Sequence, residues 1–145
     1  MKIAKIAAAI AKTLAATLAT TLAASSFAAD LTVEIKGVNS ANGQIYIGLY
    51  DKAEGWMKGG FKNVETAAKK DRVIYEFKDL PEGVYAISLY HDENGNGKFD
   101  SNLVGMPIEP YGFSNDAMGN FGPPTFEQAK FKLDSTKKTV TLNLK

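Results

Sequence analysis

Short runs in which every second residue is apolar, punctuated by turn residues at near-regular intervals, constrain this chain more than any other feature. In residues 31–38, Leu31, Val33 and Ile35 alternate with Thr32, Glu34 and Lys36, the period of a strand with one face buried. Asn42-Gly43 follows, a pair that tolerates the positive φ of a tight hairpin. Ile45, Ile47 and Leu49 then line one face of a second strand, with Tyr46 and Tyr50 on the other. Residues 72–77 and 84–90 give two more strands about the turn Lys78-Asp79-Leu80-Pro81-Glu82-Gly83, where proline presets φ and glycine accepts what other residues resist. The chain closes with strands at 130–133 and 139–144, the latter alternating Val140, Leu142 and Leu144 with Thr139, Thr141 and Asn143. Strands at this spacing, with no long amphipathic helix, predict an all-β fold: an antiparallel Greek-key β-sandwich, prealbumin- or immunoglobulin-like, of about six to seven strands.

Two segments depart from the alternation. Residues 53–70 hold Trp56, Met57 and Phe61 among glycines, which predicts a structured crossover with one helical turn. Trp56 suits a stacking platform for a sugar or peptide, but a ring that buries about 150–250 Å² more often serves the core, here as a plug over the open end of the sandwich. Residues 102–128 carry no strand pattern and read as one long irregular loop. Their four aromatic residues (Tyr111, Phe113, Phe121 and Phe126) and four prolines are too apolar and too stiff for a solvated linker, so a packed Ω-like loop is expected. Thr125-Phe126-Glu127-Gln128 has the form of a capping box opening one helical turn.

The amino terminus addresses compartment rather than fold. Lys2, Lys5 and Lys12 precede an Ala/Leu/Thr-rich run at residues 13–24 and then Ser-Ser-Phe-Ala-Ala-Asp, the layout of a secretory signal peptide cleaved after Ala28. A run of about 12 apolar residues is too short for the roughly 20 a membrane span needs. Residues 1–28 are therefore expected to be removed, leaving residues 29–145 as a single β-sandwich domain in the periplasm of a Gram-negative cell. Processing takes away three lysines and no acids, leaving 14 basic and 16 acidic residues. Such a near-neutral surface lacks the basic footprint of nucleic-acid binding. No cysteine is present, which excludes disulfides, thiolate metal sites and lipid attachment through an amino-terminal Cys.

One stretch specifies chemistry. In the segment Asp92-Glu93-Asn94-Gly95-Asn96-Gly97-Lys98-Phe99-Asp100, a DxNxNGxxD pattern, Asp92, Asn94, Asn96 and Asp100 fall at positions 1, 3, 5 and 9 of a calcium loop. Gly97 at position 6 permits the sharp turn, and Lys98 at position 7 contributes its carbonyl. Phe99 is expected to anchor the loop in the core. The departure is Leu103 at position 12, where a bidentate Glu is usual; Glu109 or Asp116 on the following loop could replace it, as could water. The expected metal set is Asp92, Asn94, Asn96, Lys98, Asp100 and Glu109, and the expected ion is Ca2+. The alternative is that residues 94–97 form nothing more than consecutive tight turns.

These motifs, together with Gly105-Met106-Pro107-Ile108-Glu109, Tyr111-Gly112-Phe113-Ser114-Asn115 and Phe121-Gly122-Pro123-Pro124-Thr125-Phe126, resemble a family of secreted bacterial proteins, domain of unknown function 2141, over essentially the whole mature chain. The resemblance implies a signal peptide, one β-sandwich in the style of prealbumin-like domains, and no established activity. The expected function is a non-enzymatic periplasmic domain whose calcium loop orders a surface loop for an envelope protein or glycan. Two alternatives stand beside it: a prealbumin-like hydrolase using His91, the only histidine, and a purely structural envelope module.

Overall fold

In the computed structural model, which describes residues 27–134 and 136–145, the alternating segments become the strands of two sheets forming a mostly-β sandwich. Apart from its last two residues, the expected signal peptide lies outside the described residues. β1 (Ala28–Val38) is the centre of the first sheet, between β4 (Asp71–Pro81) and β8 (Lys137–Asn143). The second sheet runs β3 (Lys62–Ala67), β2 (Gln44–Tyr50), β5 (Gly83–Asp92) and β6 (Tyr111–Phe113). A short β7 (Phe131–Leu133) shares the edge of β5 with β6: it pairs at Gly83–Tyr85, and β6 at Ser88–Tyr90.

Alternation decides what is buried. Leu31, Val33 and Ile35 of β1, with Ile45, Ile47 and Leu49 of β2, enter one apolar core with partners from β4, β5 and β8. Leu31, Ile35, Ile47, Ile87 and Leu142 are among its fully buried members, each worth about 1.5–3 kcal/mol of burial.

Among the described residues the strands number eight rather than six or seven, and one pairing is not antiparallel. β1 and β8 run parallel, Val33 opposite Val140 and Ile35 opposite Leu142. Parallel neighbours cannot be joined by a tight turn, and here nearly the whole sandwich serves as the connection between them. β3 lies inside the crossover predicted for residues 53–70, following a single 3-10 turn at Ala53–Gly55. β6 lies inside the segment expected to carry no strand.

Trp56 covers the outer face of the second sheet rather than the open end of the sandwich. Tyr50 and Ala86 point outward from β2 and β5, and Phe126 and Ala129 of α1 (Phe126–Ala129) close over them with Trp56 packed alongside. The indole Nε1 donates to the Pro124 carbonyl at 2.8 Å, and its ring meets Tyr50 edge-on with 4.8 Å between centroids. The Thr125–Gln128 capping box forms as expected, with both reciprocal hydrogen bonds present. Beneath this cap the buried Ser114 hydroxyl joins three segments: it accepts from the Ile87 N–H at 2.8 Å and donates to the Ala129 carbonyl at 2.5 Å.

Candidate functional site

The acidic loop begins where β5 ends, and its two ends are tied to one point. His91 donates its N–H to the Pro110 carbonyl at 2.8 Å, so residues 92–109 leave the strand and return to it. On the opposite side stands the β1–β2 hairpin. Gly43 there has φ +66°, and a Cβ at that position would lie 1.8 Å from the Asp92 carbonyl oxygen. Only glycine allows the hairpin and the loop to approach so closely.

Asp92 is buried and its carboxylate organises the first half of the loop. Oδ1 accepts from the N–H groups of Gly95 (2.8 Å) and Asn96 (3.1 Å), and Oδ2 accepts from Gly97 (2.7 Å). The positive φ values of Gly95 (+70°) and Gly97 (+74°) turn those donors inward. Asp100 organises the second half. Its Oδ2 accepts from the side-chain amides of Asn94 (2.7 Å) and Asn96 (2.8 Å), while the Asn96 and Lys98 N–H groups donate to the amide oxygens of Asn94 and Asn96. The four oxygen-bearing side chains read from the spacing therefore do converge. The Lys98 side chain is exposed and points to solvent.

Glu109 joins them from the far end of the loop. The Asp100 N–H donates to its Oε2 at 3.0 Å, and the Ile108 N–H donates to the Asp100 carbonyl at 3.0 Å. Glu109 is only 7% exposed, and its other oxygen, Oε1, has no hydrogen-bond partner. Asp116, the other acid considered for this place, lies elsewhere: it accepts from the backbone and side-chain amides of Asn143. Phe99 does not enter the core. Tyr90 faces outward from β5, and Phe99 packs on it and on Tyr111 with centroids 5.1 and 5.8 Å away. Tyr46 stacks on the other side of Tyr90 at 5.0 Å, so the loop rests on a row of aromatic rings that alternation alone indicates only in part.

Burial chiefly, with the neighbouring Tyr46, Asp92, Glu109 and Asp100, pushes the Tyr90 phenol above its ordinary pKa. The three carboxylates therefore act on one locale. They do not form a ligand set unaided, because among the described residues no group of three or more His, Cys, Asp or Glu is placed to hold a metal ion. A cation at this loop would need amide and carbonyl oxygens as well. The amide nitrogens of Asn94 and Asn96 now face Asp100; turning the side chains about their terminal bonds would present the oxygens instead.

His91 is fully buried on the core face of β5. Its Nε2 lies 2.7 Å from the Asn42 carbonyl oxygen, which makes Nε2 the donor. Nδ1 has no hydrogen-bond partner and lies 3.8 Å from Glu93 Oε1. A general base must reach the proton it removes, and this imidazole is closed to a solvent-borne substrate. The hydrolase alternative loses the residue on which it rested.

A family model described as an uncharacterized protein conserved in bacteria (DUF2141) matches residues 33–141. No curated protein and no solved structure matches the chain.

Proposed function

The chain belongs to the DUF2141 family, and from the geometry of its loop we propose that it is a non-enzymatic module of the bacterial envelope in which residues 92–109 take up calcium. The observation that carries this reading is Glu109 Oε1, a buried carboxylate oxygen without a donor. Leaving such an atom unpaired costs about 1–3 kcal/mol, and a cation shared with Asp100 would offset that cost. Calcium suits the mixture of carboxylate, amide and carbonyl oxygens on an adaptable loop better than magnesium, which demands a near-ideal octahedron. Held by the ion, Phe99 and Tyr111 would complete, with Tyr90 of β5 and Tyr46 of β2, a fixed aromatic surface for an envelope partner or glycan.

A second reading has its own support. Asp92 already has three N–H donors and Asp100 two amide donors, so both carboxylates are satisfied by the turns themselves. Glu109→Gln separates the two readings. Under calcium binding, the wild-type melting temperature rises in 10 mM calcium and not in 10 mM magnesium, and Glu109→Gln loses most of the rise. Equal melting of the wild type in calcium and in chelator would leave the turns as a structural feature only.

A further inference from the structure

Beyond the cation loop the chain makes a tight excursion at residues 102–108, and it holds apolar side chains away from the protein. Leu103 is 106% exposed and Val104 82%, with Met106 and Ile108 also exposed. The excursion is braced. Ser101 bridges Pro107 across its neck, and the Asn102 side-chain oxygen accepts from the N–H groups of Val104 (3.1 Å) and Met106 (3.0 Å). Asn102 also donates its own N–H to the Met106 carbonyl, and its carbonyl accepts from Gly105, which closes the turn at φ +81°.

We infer that this braced apolar tip is a membrane-docking element, inserting Leu103, Val104, Met106 and Ile108 into the interfacial region of a lipid bilayer. Three observations favour a bilayer over water or a protein partner. Five of the six N–H groups in residues 102–108, those of Asn102, Val104, Gly105, Met106 and Ile108, are bonded within the protein, which lowers the cost of carrying the turn into an apolar phase. No charged side chain lies between Asn102 and Glu109, and the Glu109 carboxylate is turned inward, so insertion strips water from no ionised group. Size points the same way. Four such side chains offer on the order of 300 Å² of apolar surface, well short of the roughly 800 Å² per partner in a stable protein interface. A bilayer requires no matching shape, and a few buried side chains there give weak, reversible attachment like that of a single acyl chain.

The inference does not depend on calcium, and its test is run both in calcium and in chelator. With no native cysteine, Val104→Cys can carry an environment-sensitive fluorophore, with Glu82→Cys as a label on the exposed turn before β5, at the opposite end of that strand from the loop. Vesicles of phosphatidylethanolamine and phosphatidylglycerol should shift the emission at position 104 to the blue and leave position 82 unchanged. Attachment through residues 1–28 would be indifferent to Leu103 and Val104, so the tip variant below separates the two modes. Unlabelled protein should sediment with the vesicles, and Leu103→Asn/Val104→Asn should weaken binding at least about tenfold with no change in melting temperature. An unshifted label at position 104, or equal vesicle binding by the double variant, would overturn the inference. Self-association that requires Leu103 and Val104 but ignores vesicles would overturn it too and assign the tip to a second copy.

Discussion

Replacing Asp92 by Asn asks how much of the acidic loop stands without any ion. The carboxylate accepts three backbone N–H groups, two on Oδ1 and one on Oδ2. Asparagine keeps one acceptor oxygen and puts an NH2 group in place of the other. Retaining Oδ1 preserves the bonds from Gly95 and Asn96 as neutral ones, about half as strong as those to a carboxylate, while the Gly97 N–H meets a donor. Loss of one charge-assisted bond costs about 1.5–3 kcal/mol, and weakening the other two adds about 1 kcal/mol. A total near 3 kcal/mol in a domain of this size lowers the melting temperature by about 12 °C. Thermal and urea unfolding in chelator measure the loss, and amide exchange should show it concentrated at Gly95, Asn96 and Gly97. A change below about 0.5 kcal/mol, or unaltered protection of those amides, would refute the view that Asp92 holds the turns.

Four further outcomes follow from the fold. Ser114→Ala strands the Ile87 N–H and the Ala129 carbonyl and should cost about 2–4 kcal/mol in urea titration, with an unchanged m-value. Leu142→Ala opens a cavity between the sheets and should cost about 2–5 kcal/mol, while deleting residues 137–145 should abolish the cooperative melt by removing the strand beside β1. The pKa values of Tyr46, Tyr85 and Tyr90 are all raised, chiefly by burial. Since each phenol binds its proton more tightly folded than unfolded, their stabilisation is complete below pH about 10 and is lost as pH rises through the higher folded values, as alkaline unfolding followed at fixed temperature will register.

Most of the sandwich was legible because burial on one face leaves a period of two, as in Leu31–Val33–Ile35 and Val140–Leu142. Partner and direction leave no such local mark, and the parallel pairing of β1 with β8 emerges only when the chain closes. β3 escaped notice because it is an edge strand. Its residues Asn63, Val64, Glu65 and Thr66 are at most half-buried, so no apolar stripe betrays it. β6 is three residues long and is held by its neighbours rather than by its own pattern. At the loop, spacing brought Asp92, Asn94, Asn96 and Asp100 together correctly. Glu109 was separable from Asp116 only in three dimensions, where the return of the chain at Pro110 to His91 brings one acid to the loop and leaves the other beside Asn143. Phe99 went outward because its partner Tyr90 occupies the outward position of β5.

Equilibrium dialysis against radioactive calcium puts the central claim to its most direct test, because it counts ions without relying on a change in shape or stability. With no acidic residue at position 12, the expected result is one ion per chain with a dissociation constant of about 10⁻⁴–10⁻³ M, weakened several-fold by Glu109→Gln. Calcium no more concentrated on the protein side than in buffer at 10 mM would contradict the account and leave residues 92–100 as turns held by two satisfied aspartates.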